Sequence, residues 1–218
     1  MKKTSDIALA LCMCFFIITL AVTLTLNFKQ LYYDDAEKYD VGQYVGLTLE
    51  EVKENYDALI DYNSLFGSKT LNFPDLTTSY EGEYHFMEVK NIFVAMQIFM
   101  IASGLVFVGG SVIKFKKKDY GYLLLGSILT IVIPLVVGIA VAINWEWAFI
   151  TFHQIAFSND YWIFDPSTDP VILILPDAFF MHCALLIVGI SIWFTGIALI
   201  IYLNLRKYKV RLLENNNI

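Results

Sequence analysis

A chain of 218 residues that is 57% hydrophobic and only 17% charged is more apolar than soluble domains, in which roughly 45–50% of residues are apolar. Its net charge of −6 gives no reason to expect a nucleic-acid partner. Cys12, Cys14 and Cys183 all fall inside or beside apolar runs, which leaves no cysteine pair to staple an outer loop.

Four runs without Asp, Glu, Lys or Arg, at about 7–28, 92–113, 122–143 and 181–205, reach the roughly 20 residues that a spanning helix needs. The first follows Lys2 and Lys3 and resembles a signal peptide in its charge pattern. It is too long for a signal core and has no small-x-small cleavage site, and Leu11 stands where a lipoprotein processing site before Cys12 would need a small residue. A retained span is therefore expected.

Basic residues near span ends collect on the cytoplasmic side. Lys2 and Lys3, then Lys114, Lys116, Lys117 and Lys118, then Arg206, Lys207, Lys209 and Arg211 must share that side. The segment 145–180 has no Lys or Arg but carries Glu146, Asp160, Asp165, Asp169 and Asp177, so it belongs outside, together with 29–90. The expected order is an N-terminus and first span (1–28), an extracellular cap (29–90), a second span (91–114), a basic cytoplasmic loop (115–120), a third span (121–143), an extracellular aromatic loop (144–180), a fourth span (181–205) and a cytoplasmic tail (206–218). The fold class is an all-α membrane protein, a four-transmembrane-helix bundle with a small mixed α/β extracellular cap.

Within that cap, Thr48 and Glu51 form a capping box before Leu49, Val52, Tyr56, Leu59 and Ile60, which predicts an amphipathic helix over about 49–62. Thr70 to Phe73 and Tyr80 to Met87 are candidate short edge strands, interrupted by Pro74 and Gly82. In the second outer loop Asn144 is placed to cap a helix bearing Trp145, Trp147, Phe149, Phe152 and Phe157, a composition typical of the headgroup region. Asp165-Pro166 and Asp169-Pro170 predict turns, and Pro176 opens the last helix.

The histidines are His85, His153 and His182. His85 precedes the second span and His153 follows the third, so both lie near the outer boundary. Histidine takes and gives protons near neutral pH, which makes a pair at one depth a candidate acid/base system. The plainer reading is an interfacial residue that makes a surface hydrogen bond, and it is preferred for His182. The sequence has no His-Glu-x-x-His, Cys-x-x-Cys, Gly-x-Ser-x-Gly or phosphate-binding glycine loop. No metal and no cofactor are expected, and any acyl chemistry would take its nucleophile from the substrate. Two other readings compete: a non-enzymatic four-span protein whose cap binds a partner, and a transporter. The second is weakened by spans free of ionisable Asp, Glu, Lys or Arg.

Glu83-Tyr84-His85-Phe86-Met87-Glu88-Val89, then Phe152-His153-Gln154-Ile155-Ala156-Phe157, Trp162-Ile163-Phe164-Asp165-Pro166 and Pro176-Asp177-Ala178-Phe179-Phe180 together resemble the bacterial lipoprotein intramolecular transacylase (Lit) family. Ala156, where an aromatic is expected, and Glu88, where Asp is common, depart from its pattern. The resemblance implies transfer of the sn-2 acyl chain of a diacylglyceryl-cysteine lipoprotein to the α-amine of the same cysteine, giving the lyso-form. It implies His85 and His153 as the catalytic pair, one as acid and one as base in either order, without a covalent acyl-enzyme. Trp145, Trp147, Phe149, Phe152, Trp162, Phe164, Phe179 and Phe180 are candidates to grip acyl chains and exclude water, while each singly also fits an ordinary interfacial belt. Tyr84, Asn159, Asp160 and Asp165 are candidates to orient a ring nitrogen or to serve an oxyanion, and each fits a cap or turn as well. The partners implied are a diacylated lipoprotein and membrane lipid, met by a monomer in the bacterial cell membrane with its site at the extracellular face.

Overall fold

The computed structural model describes the backbone of residues 2–215 and the side chains of residues 4–211. The side chains of Lys2 and Lys3, and the end of the expected cytoplasmic tail, lie outside the described residues. Along the chain run α1 (Lys2–Asn27), α2 (Lys29–Lys38), a 3₁₀ turn (Val41–Tyr44), α3 (Leu49–Tyr62), α4 (Tyr80–Lys116), α5 (Gly121–Ile143), α6 (Trp145–Ala156), the single turn α7 (Val171–Ile174) and α8 (Asp177–Asn215). Thr4–Asn27, Tyr80–Lys116, Gly121–Ile143 and Asp177–Arg211 are long and apolar enough to cross a membrane. Helix α5 continues through Pro134.

Two compact units are present. One comprises residues 1–22, 98–138 and 187–218, with Leu9, Met13, Ile17, Tyr122, Leu123 and Ala198 at its centre. Three of its buried hydroxyls turn back onto their own helices: Ser127 donates to Leu123 O (2.8 Å), Thr130 to Gly126 O (2.8 Å) and Thr195 to Ser191 O (2.7 Å). In lipid this is how a hydroxyl avoids being left without a partner.

The other unit comprises residues 23–97 and 139–186. Tyr32 and Tyr56 stack at 3.6 Å between ring centroids, and Phe179 meets both edge-on at 5.2 and 5.7 Å. The Tyr32 hydroxyl, buried here, donates to Ile174 O at 2.9 Å, which ties α2 to α7. Helix α3 has the expected bounds and the expected start. Thr48 N donates to Glu51 Oε2 (2.7 Å), and Glu51 N donates to Thr48 Oγ1 (3.3 Å), so the box satisfies two otherwise orphan amides. Its apolar face, Val52, Tyr56, Leu59 and Ile60, is buried.

The expected mixed α/β cap is corrected to a helical one, because no strand occurs among the described residues. Tyr80 to Met87, read as a strand, is the first two turns of α4. Ser79 starts that helix: its Oγ accepts from Gly82 N (3.0 Å) and its carbonyl from Glu83 N (2.9 Å). Glu81 and Glu83 sit in the first turn, where the helix dipole favours negative charge. Tyr80 and Tyr84, four apart, pack at 6.3 Å, a pairing that belongs to helical and not to extended periodicity. Thr70 to Phe73 is extended in sequence character but forms no ladder.

Candidate active site

His85 and His153 come from different helices and meet within the second unit. Their ring centroids are 6.1 Å apart. His85 projects from the second turn of α4, ahead of the charge-free run 92–113 and separated from it by Glu88 and Lys90. His153 lies in the last turn of α6, a helix that begins where Asn144 Oδ1 accepts from Trp147 N at 2.9 Å.

Aromatic rings enclose the pair. Around His85 stand Phe157 at 4.7 Å, Phe164 at 5.4 Å and Phe86 at 5.9 Å. Around His153 stand Phe149 at 4.1 Å, Trp162 at 4.8 Å and Phe152 at 5.3 Å, and Phe149 in turn touches Phe180 at 5.7 Å. Only 5% of the His85 surface is exposed. Burial, and after it the neighbouring His153, push the His85 ring down to about 4. Burial also lowers His153, outweighing the opposite pull of the Phe149 carbonyl. Near neutral pH both rings are therefore uncharged, as desolvation demands of an imidazole without an anionic partner.

The hydrogen bonds of the two rings differ. His153 Nδ1 lies 2.8 Å from the Phe149 carbonyl, four residues back on the same helix. A carbonyl only accepts, so Nδ1 carries the hydrogen, and in the neutral ring Nε2 is left as the basic nitrogen. His85 Nδ1 is buried with no hydrogen-bond partner among the described residues, as suits a group meant for a partner outside the chain.

The profile of the family "Lipoprotein intramolecular transacylase Lit" matches residues 7–180. The chain belongs to the Lit family. A solved structure of the membrane integral lipoprotein intramolecular transacylase Lit from Bacillus cereus is 38% identical, with a TM-score of 0.92 over 96% of this chain and 97% of that one. Two structures of variants of that protein, one with a histidine-to-arginine and one with a histidine-to-alanine mutation, superpose with TM-scores of 0.85 and 0.86 over 96% of this chain, covering 93% and 95% of theirs, at the same 38% identity. No curated protein matches by sequence. The chain is thus a multi-pass membrane protein and an acyltransferase.

The other residues singled out from sequence take distinct places in this Lit-family chain. Trp145 packs on Phe149 at 5.6 Å, one ring removed from His153, whereas Trp147 is 58% exposed and faces away from the protein. Tyr84 packs edge-on against Tyr161 at 5.5 Å. Asn159 Nδ2 donates to both oxygens of Glu88 at 3.1 Å, pinning the loop after α6 to the helix that carries His85. Asp160 and Asp165 are exposed turn residues: the Asp160 carbonyl accepts from Ile163 N at 3.0 Å, and Asp165 Oδ1 accepts from Ser167 N at 2.9 Å. His182 is engaged elsewhere, with Nδ1 2.7 Å from Asp35 Oδ2.

Sequence reasoning overlooked Asp169 as anything but a turn former. Its carboxylate is buried and accepts from Ser79 N (2.7 Å) and from Thr168 Oγ1 (2.7 Å). It thereby docks the loop bearing Trp162 and Phe164 on the N-terminus of α4, two turns ahead of His85. The fit requires glycine at 82, where a Cβ would stand 2.2 Å from Asp169 Oδ1. Replacing Asp169 by Ala leaves the half-buried Ser79 amide without its partner, a loss of about 1 kcal/mol. A lowered unfolding midpoint, with Asp169→Asn falling between the two, is the expected result in a detergent-solubilised thermal melt.

Proposed function

We propose that this transacylase moves the sn-2 acyl chain of a diacylglyceryl-cysteine lipoprotein to the α-amine of the same cysteine, with His153 as base and His85 as acid. One observation supports this reading above the others: two neutral histidines from separate helices, 6.1 Å apart between ring centroids inside an aromatic enclosure. An α-amine with a pKa of about 7.7–8.0 must lose a proton to remain bonded to carbon as an amide. His153 Nε2, bare because Nδ1 is held by the Phe149 carbonyl, takes that proton as nitrogen attacks the ester carbon. The tetrahedral intermediate collapses as the bond to the glyceryl oxygen breaks. His85 delivers its ring proton to that oxygen and recovers one from His153, which thereby gives up the proton it took from the amine. One proton leaves the amine and one reaches the glycerol, so the pair ends as it began, with no acyl group on the protein.

Both reactants sit in one substrate molecule, and holding them together is worth much of the barrier, since effective molarities in such arrangements reach about 10⁵–10⁸ M. The surrounding Phe149, Phe152, Phe157, Trp162, Phe164 and Phe180 supply grip for acyl chains and keep out water that would hydrolyse the ester. In the bacterial membrane the chain acts as a monomer. Its termini and the basic loop 115–120 face the cytoplasm, and its histidine pair faces outward. The lysines between α4 and α5 and the basic residues 206–211 of α8 support that orientation.

The test is mass spectrometry of a lipoprotein's N-terminal peptide from bacteria that lack an N-acylating enzyme and express this chain. One acyl chain is expected on the amine and one on the glycerol, with no change in total mass. A peptide that keeps both chains on glycerol, while the protein is present and folded, would overturn the proposal.

A further inference from the structure

The turn after α3 hangs from α4 within that helix's charge-free run, at Gln97. Gln97 lies seven residues beyond Lys90, the last charge before the apolar run, which at about 1.5 Å per residue places it about 10 Å along the helix. Gln97 is 8% exposed, and its amide is taken up by the turn: Oε1 accepts from Leu65 N (3.0 Å), and Nε2 donates to Asn63 O (3.0 Å) and Phe93 O (3.1 Å). Higher on the same helix, Lys90 donates to Ser68 O and its Nζ lies 4.1 Å from the centre of the Tyr62 ring. The turn is therefore fastened to α4 at both levels.

Four more of its backbone amides are closed within the turn and the end of α3. Asn63 N donates to Leu59 O (3.1 Å), Ser64 N to Asp61 O (3.0 Å), Gly67 N to Ser64 O (3.1 Å) and Ser68 N to Asp61 Oδ2 (3.0 Å). Position 67 admits only glycine, because a Cβ would come within 1.7 Å of Asp61 O. A tightly built turn of this kind ends in Phe66, which is 94% exposed. In water a phenylalanine held out in that way gains nothing, whereas in lipid every feature has a use. Backbone groups in the hydrocarbon need partners within the protein, and here a glutamine supplies them to Leu65 N and Asn63 O. On α4 just past Gln97, Ile98 and Phe99 are exposed as well, so the helix continues beyond the glutamine as an apolar one.

We propose that the Leu65–Phe66 turn is a wedge inserted into the acyl-chain region of the bilayer, with Phe66 as its anchor. It fixes the depth of the helical cap relative to lipid. That the leaflet is the outer one rests on the orientation proposed above; the insertion itself does not.

The experiment uses the full chain with Phe66→Trp, reconstituted in phosphatidylcholine/phosphatidylglycerol vesicles, and compares its added tryptophan emission with that of the parent. Lipids brominated in the upper acyl chain are present in both leaflets, so the readout is independent of orientation. The added emission is expected to be quenched by brominated lipid and protected from aqueous iodide. Quenching by iodide alone, or by neither, would place the turn in water or against protein and overturn the proposal. Adding Gln97→Leu is expected to shift the reporter toward iodide; an unchanged depth would overturn the role given to Gln97.

Discussion

Transfer by the His153→Ala chain is expected to be about 10²–10⁴-fold slower than by the wild type, the usual contribution of a positioned general base. The measurement is a single-turnover assay with purified diacylated lipopeptide in detergent, read by mass spectrometry. Two explanations of a loss must be separated, because His153 also packs against Phe149 and Trp162 at 4.1 and 4.8 Å. Asparagine at 153 carries an amide hydrogen in place of the Nδ1–H that meets the Phe149 carbonyl, and it has no basic nitrogen. A ring that served only to hold α6 would be largely replaced by asparagine. A base would not, so His153→Asn is expected to be as slow as His153→Ala while unfolding closer to the wild-type temperature. Near wild-type transfer by either folded variant would remove His153 from the mechanism.

For His85→Ala a loss of the same order, about 10²–10⁴-fold, is expected, with a sharper signature in combination. In the proposed mechanism the two rings move one proton between them, so once either is gone the other has nothing to relay. The double variant is therefore expected to be no slower than the slower single one, the non-additivity of groups that act as a unit. Independent, multiplied losses in the double variant would show that the histidines contribute separately. His85 is nearly fully buried and borders Phe157 and Phe164, so its removal leaves a cavity. His85→Gln, closer in volume, keeps the comparison interpretable if the alanine chain melts early.

Local chemistry made much of this molecule legible before any coordinates. The four spans announce themselves because lipid excludes charge over about 20 residues, and α3 announces itself because the Thr48–Glu51 box needs only residues three apart. Asn144 declared α6 in the same way. The error came at Tyr80 to Met87, where Gly82 was read as an interruption of a strand. Its spacing of three from Ser79 is a helix-start signal, and the reason for the glycine is a carboxylate 87 residues away in the chain, Asp169. Long-range meetings were hidden for the same cause. The shared depth of His85 and His153 follows from topology, but their contact depends on how α6 packs against the start of α4. Likewise the pairing of His182 with Asp35 spans 147 residues and leaves no local trace.

In the proposed mechanism the bond between His153 and the Phe149 carbonyl is a hidden third member. In many acid/base sites the group that orients the imidazole is a side chain, and mutating it exposes the role. Here it is a peptide oxygen of the same helix, which every amino acid would supply equally. On the proposed mechanism an alanine scan finds two histidines and no third partner. Selection has had no residue to lose at that point, only a helical turn to keep.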